Sequence, residues 1–252
     1  GVLDTSFGTG GAVSTDIVST IYGISGDSIE EAFAVAIQPD GKILVTGDFS
    51  AMNGVGRNRI ARLNGDGTLD TGFDPGTGAN GITTHAAAVQ PDGKILVGGG
   101  FSTIDGQPRN GIARLNSNGS LDLGFNPGSG TNGAVKAITV QPDGKVLIGG
   151  YFTTVAGTVR NGVARLGLDG SLDTSFDIGY GPGNVEIYVL RLLPDGSSIV
   201  GGDFYSFNGV SRTHIAKIRP SGAVEDNFVA DNDLGALKGL AVVGKDNTNG
   251  SW

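Results

Sequence analysis

Short apolar runs bounded by glycine or proline recur along the chain. Apolar and small residues fill Val135–Gln141, and a Pro-Asp-Gly turn separates this run from a second one, Lys145–Phe152. A third run, Asn161–Leu166, is joined by the turn Leu168–Gly170 to a fourth, Ser171–Phe176. Proline presets φ in a tight turn, and glycine accepts a positive φ near its end. The pattern predicts four β-strands, named a to d, and no apolar period of 3.6 residues is long enough for a helix.

This four-strand unit occurs four times in one phase. Its Pro-Asp-Gly turns lie 51 or 52 residues apart and begin at Pro39, Pro91, Pro142 and Pro194. Each turn is followed by a Gly-x-Phe sequence, then by a segment such as RNGIARL from Arg109, and finally by one such as LDLGF from Leu121. A unit of this size cannot bury both faces of its own sheet. We therefore predict blades that pack side by side in a β-propeller.

Strand a agrees with this arrangement because both of its faces are predicted to be buried. In the third unit Ile138 and Val140 form a large face, and Ala137 and Thr139 form a small one. The first unit has the same pattern, with Val35 on its large face. Large residues against small ones allow neighbouring blades to interdigitate.

The two ends of the chain carry unpaired parts of the repeat. Leu3–Phe7 reads as a strand d without a preceding unit, and Leu237–Gly244 as a strand a without a following hairpin. We predict an all-β protein in which residues 1–252 form a single β-propeller domain. It has four complete four-stranded blades, with repeats of about 52 residues, and a fifth blade shared between the termini. The alternative is a segment of a longer array.

Composition and charge narrow the classes of partner. Glycine makes up 46 of the 252 residues, which fits many tight turns, and there is no cysteine for a disulfide or a thiolate metal site. The net charge of −8 disfavours nucleic acid and anionic membranes. No run of 18 apolar residues occurs, so we predict no membrane insertion. The start GVLDTSFG indicates a processed product or a piece of something longer.

The repeated residues also carry a family resemblance. The segments LDTSFGTGG, AVAIQPDGKILV and RIARLNGDGTLDTGF resemble the delta-60 repeat of large bacterial surface and secreted proteins, which is a β-propeller family. The resemblance extends over almost all of the chain. It implies the propeller fold and an extracellular or cell-surface location, and it brings no activity or functional residues with it.

The repeated motifs favour scaffold over chemistry. A phosphate-binding loop precedes a helix, whereas each PDGK segment leads into a strand, so we interpret it as a turn. Arg57 and Arg62 recur in every unit, with Lys217 in place of the second arginine in the last. We expect these side chains to tie loops to carbonyl groups or to the Asp of a neighbouring turn. A nucleic-acid site would instead concentrate basic residues on one face.

Catalytic and metal-binding signals are weak. The two histidines, His85 and His214, occupy different repeat positions, and no G-x-S-x-G nucleophile elbow is present. Two histidines cannot form a His₃ zinc site. The segment Asn64–Asp70 resembles part of a calcium loop but lacks the spaced acidic ligands. We predict no cofactor and no metal, and the sequence favours a protein without catalytic activity.

Binding residues are expected on the variable loops. The b–c and d–a loops vary between units and share one face, and such loops commonly carry function. One repeat position on strand a mixes aromatic, basic and hydrogen-bonding residues at the mouth of the central channel: Phe33, His85, Lys136, Tyr188 and Lys238. Nearby loops add Tyr22, Tyr180 and Tyr205. We predict that these residues bind a polar ligand such as a glycan. The alternative is that they are half-exposed residues at a strand end.

The sequence therefore favours a non-catalytic binding or adhesion module of a bacterial surface or secreted protein, with a glycan or a surface protein as its partner. Two alternatives stay open. One is a propeller-borne hydrolase or lyase with a catalytic cluster on the variable face. The other is a passive spacer in a larger repeat protein, because propellers serve all three uses.

Overall fold

Each repeat forms antiparallel β-strands, and the computed structural model describes residues 31–81 and 83–228. Blade 1 contains β1 (Glu31–Ile37), β2 (Ile43–Asp48), β3 (Ala51–Met52), β4 (Val55–Gly56) and β5 (Ile60–Leu63). Blade 2 contains β6 (Thr84–Val89), β7 (Ile95–Gly99), β8 (Thr103–Ile104), β9 (Gln107–Pro108) and β10 (Ile112–Leu115). Blade 3 contains β11 (Ala134–Val140), β12 (Val146–Tyr151), β13 (Thr154–Val155), β14 (Thr158–Val159) and β15 (Val163–Leu166). Blade 4 contains β16 (Ile187–Leu192), β17 (Ser198–Gly202), β18 (Ser206–Phe207), β19 (Val210–Ser211) and β20 (Ile215–Ile218).

The sheets have the topology of propeller blades. In every blade strand a pairs with strand b and strand b with strand c, as in the order β11-β12-β15. The innermost strands β1, β6, β11 and β16 pack against one another in chain order. This confirms the predicted all-β propeller architecture for the described residues. No helix long and apolar enough to cross a membrane occurs within them.

The b–c connection is more ordered than the sequence indicates. It forms a two-stranded hairpin in each blade, for example β8 with β9 in blade 2. The d–a connection lies against the hairpin of the next blade, because Ala79 bridges Ile104 and Thr131 bridges Val155. The two kinds of variable loop therefore meet on one face, as predicted.

Strand d is shorter than predicted. It is reduced to one bridge to strand c in each blade, the first of which joins Leu63 to Leu69. The chain turns directly after this bridge, because the Asp70 side chain accepts the backbone N–H of Gly72 at 3.0 Å. The N–H of Phe73 then donates to the Asp70 carbonyl. An Asp that satisfies backbone donors in this way competes with a continuing strand.

Most of the described core lies between blades. Leu44 and Ile60 of blade 1 share one buried cluster with Ile95 and Val97 of blade 2. Corresponding clusters join blade 2 to blade 3 and blade 3 to blade 4. The phenylalanine after the strand-d bridge is buried in these clusters in the first three blades, at Phe73, Phe125 and Phe176. Burial of this apolar surface is the main stabilising term for the arc of blades.

The large face of strand a in blade 1 is not buried as predicted. Val35 is 62% and Ile37 75% exposed, because this face points away from blade 2, and blade 1 is the first of the described blades. Ala36, on the opposite face, packs against the core shared with blade 2. The predicted fifth blade, built from Leu3–Phe7 and Leu237–Gly244, lies outside the described residues.

A three-residue clasp links neighbouring blades. In blade 2, Arg114 Nε and Lys94 Nζ both contact Asp122 Oδ2, at 2.7 and 2.9 Å. Arg114 Nη1 donates to the carbonyl of Leu168 in the next blade, and its guanidinium lies over the Phe125 ring. Blades 1 and 3 repeat the arrangement around Asp70 and Asp173. This confirms that the repeated arginines bind carboxylates and carbonyl groups within the scaffold.

The clasp changes the ionisation of its carboxylate. Burial opposes ionisation of Asp122, but hydrogen bonds from Lys94 and Arg114 outweigh it and lower its pKa to about 2. The pKa values of Asp70 and Asp173 are lowered by the same balance. These carboxylates are therefore ionised parts of the fold at neutral pH.

Candidate functional site

The predicted ring position is a β-bulge in every blade. Ala32 and Ala34 pair with successive residues of β2, so Phe33 has no place in the register. The register of the other inner strands is interrupted at the same repeat position, which holds His85, Lys136 and Tyr188. A bulge sets two residues opposite one and redirects a side chain. Each described blade thus presents one variable side chain from an identical backbone position.

A glycine on strand b makes the bulge possible. A Cβ atom on Gly99 would collide with the carbonyl oxygen of Thr83, and the equivalent glycines, Gly47, Gly150 and Gly202, meet the same obstacle. The preceding glycine has a different role. A Cβ on Gly98 would lie 2.7 Å from Val135 of the next blade. In this glycine pair, Gly98 therefore allows close packing of the next blade, and Gly99 allows the bulge.

The four bulged side chains converge on one cavity of about 330 Å³. The rings of Phe33 and His85 lie 5.1 Å apart and are tilted by 54°. The Lys136 ammonium lies 5.2 Å from the centre of the Tyr188 ring. Side chains from four successive blades, each 51 or 52 residues from the next in sequence, thus meet in two contacting pairs.

Glu186 is a member of this cluster that the sequence did not single out. Its Oε2 lies 3.1 Å from Lys136 Nζ and accepts a hydrogen bond from the Tyr188 hydroxyl. This hydrogen bond raises the pKa of Tyr188 to about 12 and lowers the pKa of Glu186. The sequence indicates this contact only by the position of Glu186, two residues before the ring residue Tyr188 of blade 4. The neighbouring blade 3 has Lys136 as its ring residue.

His85 is held in a fixed orientation beside this cluster. Its Nε2 lies 2.7 Å from Thr83 Oγ1. Burial lowers the pKa of His85, the Lys136 charge lowers it further, and the Glu186 carboxylate opposes both. The ring is therefore a neutral, partly buried hydrogen-bonding group at neutral pH.

The predicted tyrosines of the loops lie elsewhere. Tyr180 and Tyr205 are 86% and 71% exposed and do not line the cavity. Tyr180 accepts a hydrogen bond from Asn161 through its carbonyl, and Tyr205 contacts His214. Their part in binding stays a prediction. Tyr22 and Lys238, which were predicted for the same site, lie outside the described residues.

His214 has a structural environment. It is buried, and its Nδ1 lies 3.0 Å from the Gly202 carbonyl oxygen. Its φ of 63° lies in the left-handed region, where blades 2 and 3 have glycine. Within residues 31–81 and 83–228, no three His, Cys, Asp or Glu side chains are grouped closely enough to hold a metal ion.

Comparison with known proteins identifies the repeat. The family model described as "Domain of unknown function (DUF5122) beta-propeller" matches residues 38–73, 90–125, 141–176 and 199–228, which together exceed half of the chain. A solved structure of a protein of unknown function from Bacteroides caccae is similar at 15% identity. The matched region covers 80% of this chain and 68% of the chain of that structure, with a TM-score of 0.42. No curated protein matches the chain.

Proposed function

The chain belongs to the DUF5122 beta-propeller family, and on this scaffold we propose a non-catalytic binding module that takes a polar ligand, such as a glycan, at the central cavity. The observation that carries the proposal is the bulge in each described blade. Four bulges aim Phe33, His85, Lys136 and Tyr188 into one cavity. Bulges beside functional sites commonly redirect a side chain in this way.

The chemistry of the cavity suits a sugar. Aromatic rings offer apolar faces on which the C–H side of a pyranose stacks, and Phe33 is 41% exposed. Lys136 and His85 supply hydrogen-bonding groups that fix the orientation of hydroxyl groups. A pocket that combines apolar faces with a few placed polar groups is typical of small-ligand sites.

The residues around each bulge argue against a purely structural role. Both flanking positions hold small or apolar side chains in all four blades, for example Thr84 and Ala86 beside His85. The bulged position alone carries four chemically different side chains. Packing between blades does not require this variety, because every blade has the same pairing on either side of the bulge.

We further propose an adhesion role at a bacterial surface or in a secreted protein, with a glycan or a surface protein as the partner. This location rests on the resemblance to delta-60 repeats. Fractionation of the source cells, followed by detection of the chain with an antibody, tests it. Recovery of the chain from the cytoplasm alone would contradict it.

A glycan-array screen tests the binding site. The chain has no cysteine, so Ser117→Cys creates a single attachment point on an exposed turn of the opposite face. We expect a reproducible set of glycan hits that disappear in the double variant His85→Ala/Tyr188→Ala. Thermal unfolding of the double variant verifies that it remains folded.

Two further variants locate the site on the variable face. Tyr180→Ala/Tyr205→Ala removes the exposed aromatic rings outside the cavity and tests their predicted part in binding. Because they do not line the cavity, we expect this variant to lose fewer hits than His85→Ala/Tyr188→Ala. Arg219→Gln, on the opposite face, is the neutral control. Hits that persist in His85→Ala/Tyr188→Ala but disappear in Tyr180→Ala/Tyr205→Ala would place the binding site at the two outer tyrosines rather than in the cavity. A blank array would favour a spacer or a protein-binding role.

A further inference from the structure

Two cationic side chains line the central cavity. They are Lys136 and Arg191, and the Glu186 carboxylate pairs with Lys136 beside the cavity. This contrasts with the net charge of −8 for the whole chain. Cationic side chains at a pocket of an acidic protein raise the local concentration of anions there.

Arg191 is specific to blade 4. The same repeat position holds Ala36, Ala88 and Thr139 in the other three blades. The side chain of Thr139 donates to the Leu190 carbonyl, and so does Arg191 Nη1 at 3.2 Å. The Leu190 carbonyl of blade 4 thus already has a donor in the Thr139 hydroxyl of blade 3, and Arg191 is a second donor to it.

The Lys136 ammonium keeps donor capacity after its contact with Glu186. An ammonium group has three N–H donors, and the Glu186 pair accounts for one of them. Glu186 and the Tyr188 ring hold the ammonium in place. Lys136 can therefore donate to a ligand as well as to Glu186.

We infer that the cavity selects a glycan that bears a carboxylate, a uronate-containing chain, and that Lys136 and Arg191 determine this specificity. The inference rests on the proposed function. Guanidinium and ammonium groups form short, charge-assisted hydrogen bonds with carboxylates, and Arg does so with two parallel bonds. The Phe33 and Tyr188 rings would contact the sugar, and the two cations would contact its acidic group.

The test compares sugars that differ only in charge. Trimers of galacturonate, glucuronate, mannuronate and guluronate are each titrated calorimetrically against their carboxyl-reduced counterparts, in which CH₂OH replaces the carboxylate. We expect at least one acid to bind roughly tenfold or more tightly than its neutral counterpart. The preference should weaken as salt is raised, since the ionic contacts are partly exposed.

Variants assign the preference to the two cations. Arg191→Gln is expected to reduce affinity for the acidic trimer about tenfold and to leave affinity for the neutral trimer within about twofold. Lys136→Gln also removes a group that contacts hydroxyls, so we expect it to weaken binding of the acidic trimer more than binding of the neutral one. Arg219→Gln removes one positive charge from the opposite face and should change neither. Thermal unfolding confirms that each variant is folded.

The outcomes separate the two levels of the proposal. Equal binding of acidic and neutral trimers, lost in His85→Ala/Tyr188→Ala, would overturn the charge selectivity and leave the glycan site standing. Acid-selective binding that survives both cation changes would overturn the assignment to Lys136 and Arg191. Failure of every acidic and neutral trimer to bind would overturn both the selectivity and the glycan site.

Discussion

Arg114 Nη1 lies 2.7 Å from the carbonyl oxygen of Leu168, so an arginine of blade 2 donates directly to the c–d turn of blade 3. The equivalent arginines of blades 1 and 3 donate to Ser117 and Pro220. Each contact joins a strand of one blade to a turn of the next. The clasp therefore fixes the spacing of adjacent blades as well as the charge of its own carboxylate.

Removal of this arginine should weaken the joint between blades. Arg114→Ala leaves Asp122 largely buried with Lys94 as its remaining cation, and we expect the free energy of unfolding to fall by about 2 to 4 kcal/mol. Arg114→Lys should lose less, because blade 4 already has Lys217 in this position, bonded to Asp195 and Glu225. Urea denaturation measures both. A loss below about 0.5 kcal/mol for Arg114→Ala, the range of ordinary surface changes, would contradict the clasp.

Two adjacent glycines of blade 2 should differ sharply in tolerance to alanine. Gly99→Ala brings a Cβ against the Thr83 carbonyl, and we expect a loss of about 2 to 3 kcal/mol or a failure to fold. Gly100→Ala is the matched control, because its Cβ would have ordinary contacts and other blades carry Asp48 and Tyr151 there. Its effect should stay within about 0.5 kcal/mol. Similar unfolding midpoints for the two variants would show that the bulge does not need the glycine.

Stability should fall in acid over a defined range. The pKa of Asp122 is lowered to about 2 in the folded chain, compared with about 3.9 for an unfolded Asp. A lowered pKa stabilises the fold above the unfolded value, and this contribution is lost as pH falls from about 4 to about 2. Denaturation curves at pH 7, 4 and 2.5 measure the change.

Asp122→Asn separates the clasp from general acid effects. The variant should be less stable at pH 7 and should lose less stability between pH 4 and 2.5 than the natural chain, because one of the three clasp carboxylates with a lowered pKa is gone. An unchanged loss over this range would place the acid-sensitive groups elsewhere.

The charge of Lys136 should be detectable at His85. Burial and Lys136 together keep the pKa of His85 below 6.5, so Lys136→Gln is expected to raise it part of the way back. NMR titration of the imidazole resonances measures this value, with Arg219→Gln as a control for the loss of a remote charge. A His85 pKa that does not move in Lys136→Gln would separate His85 from the cluster.

The sequence predicts the blades and the ring position but not the contacts that join neighbouring blades. The repeat phase is enough to predict strands a, b and c, because glycine, proline and apolar alternation are local signals. The bulge at Phe33 depends on register between two strands, which no local pattern reports. The reach of Arg114 to Leu168 depends on the rotation between blades. Strand d is short because the Asp70 side chain accepts a hydrogen bond from the backbone N–H of Gly72. The sequence shows the Asp but not the group that donates to it.

Around each bulge, one set of positions fixes the backbone and another position presents a side chain to the cavity. Glycine opposite the bulge and the paired residues on either side fix the backbone, so the bulged side chain can be exchanged without loss of a ladder hydrogen bond. Each blade therefore offers one replaceable position over a shared cavity. We expect changes at Phe33, His85, Lys136 and Tyr188 to alter what the cavity contacts and to leave the strand pairing in place. The repeated backbone thus allows the chemistry of the cavity to be changed in one blade at a time.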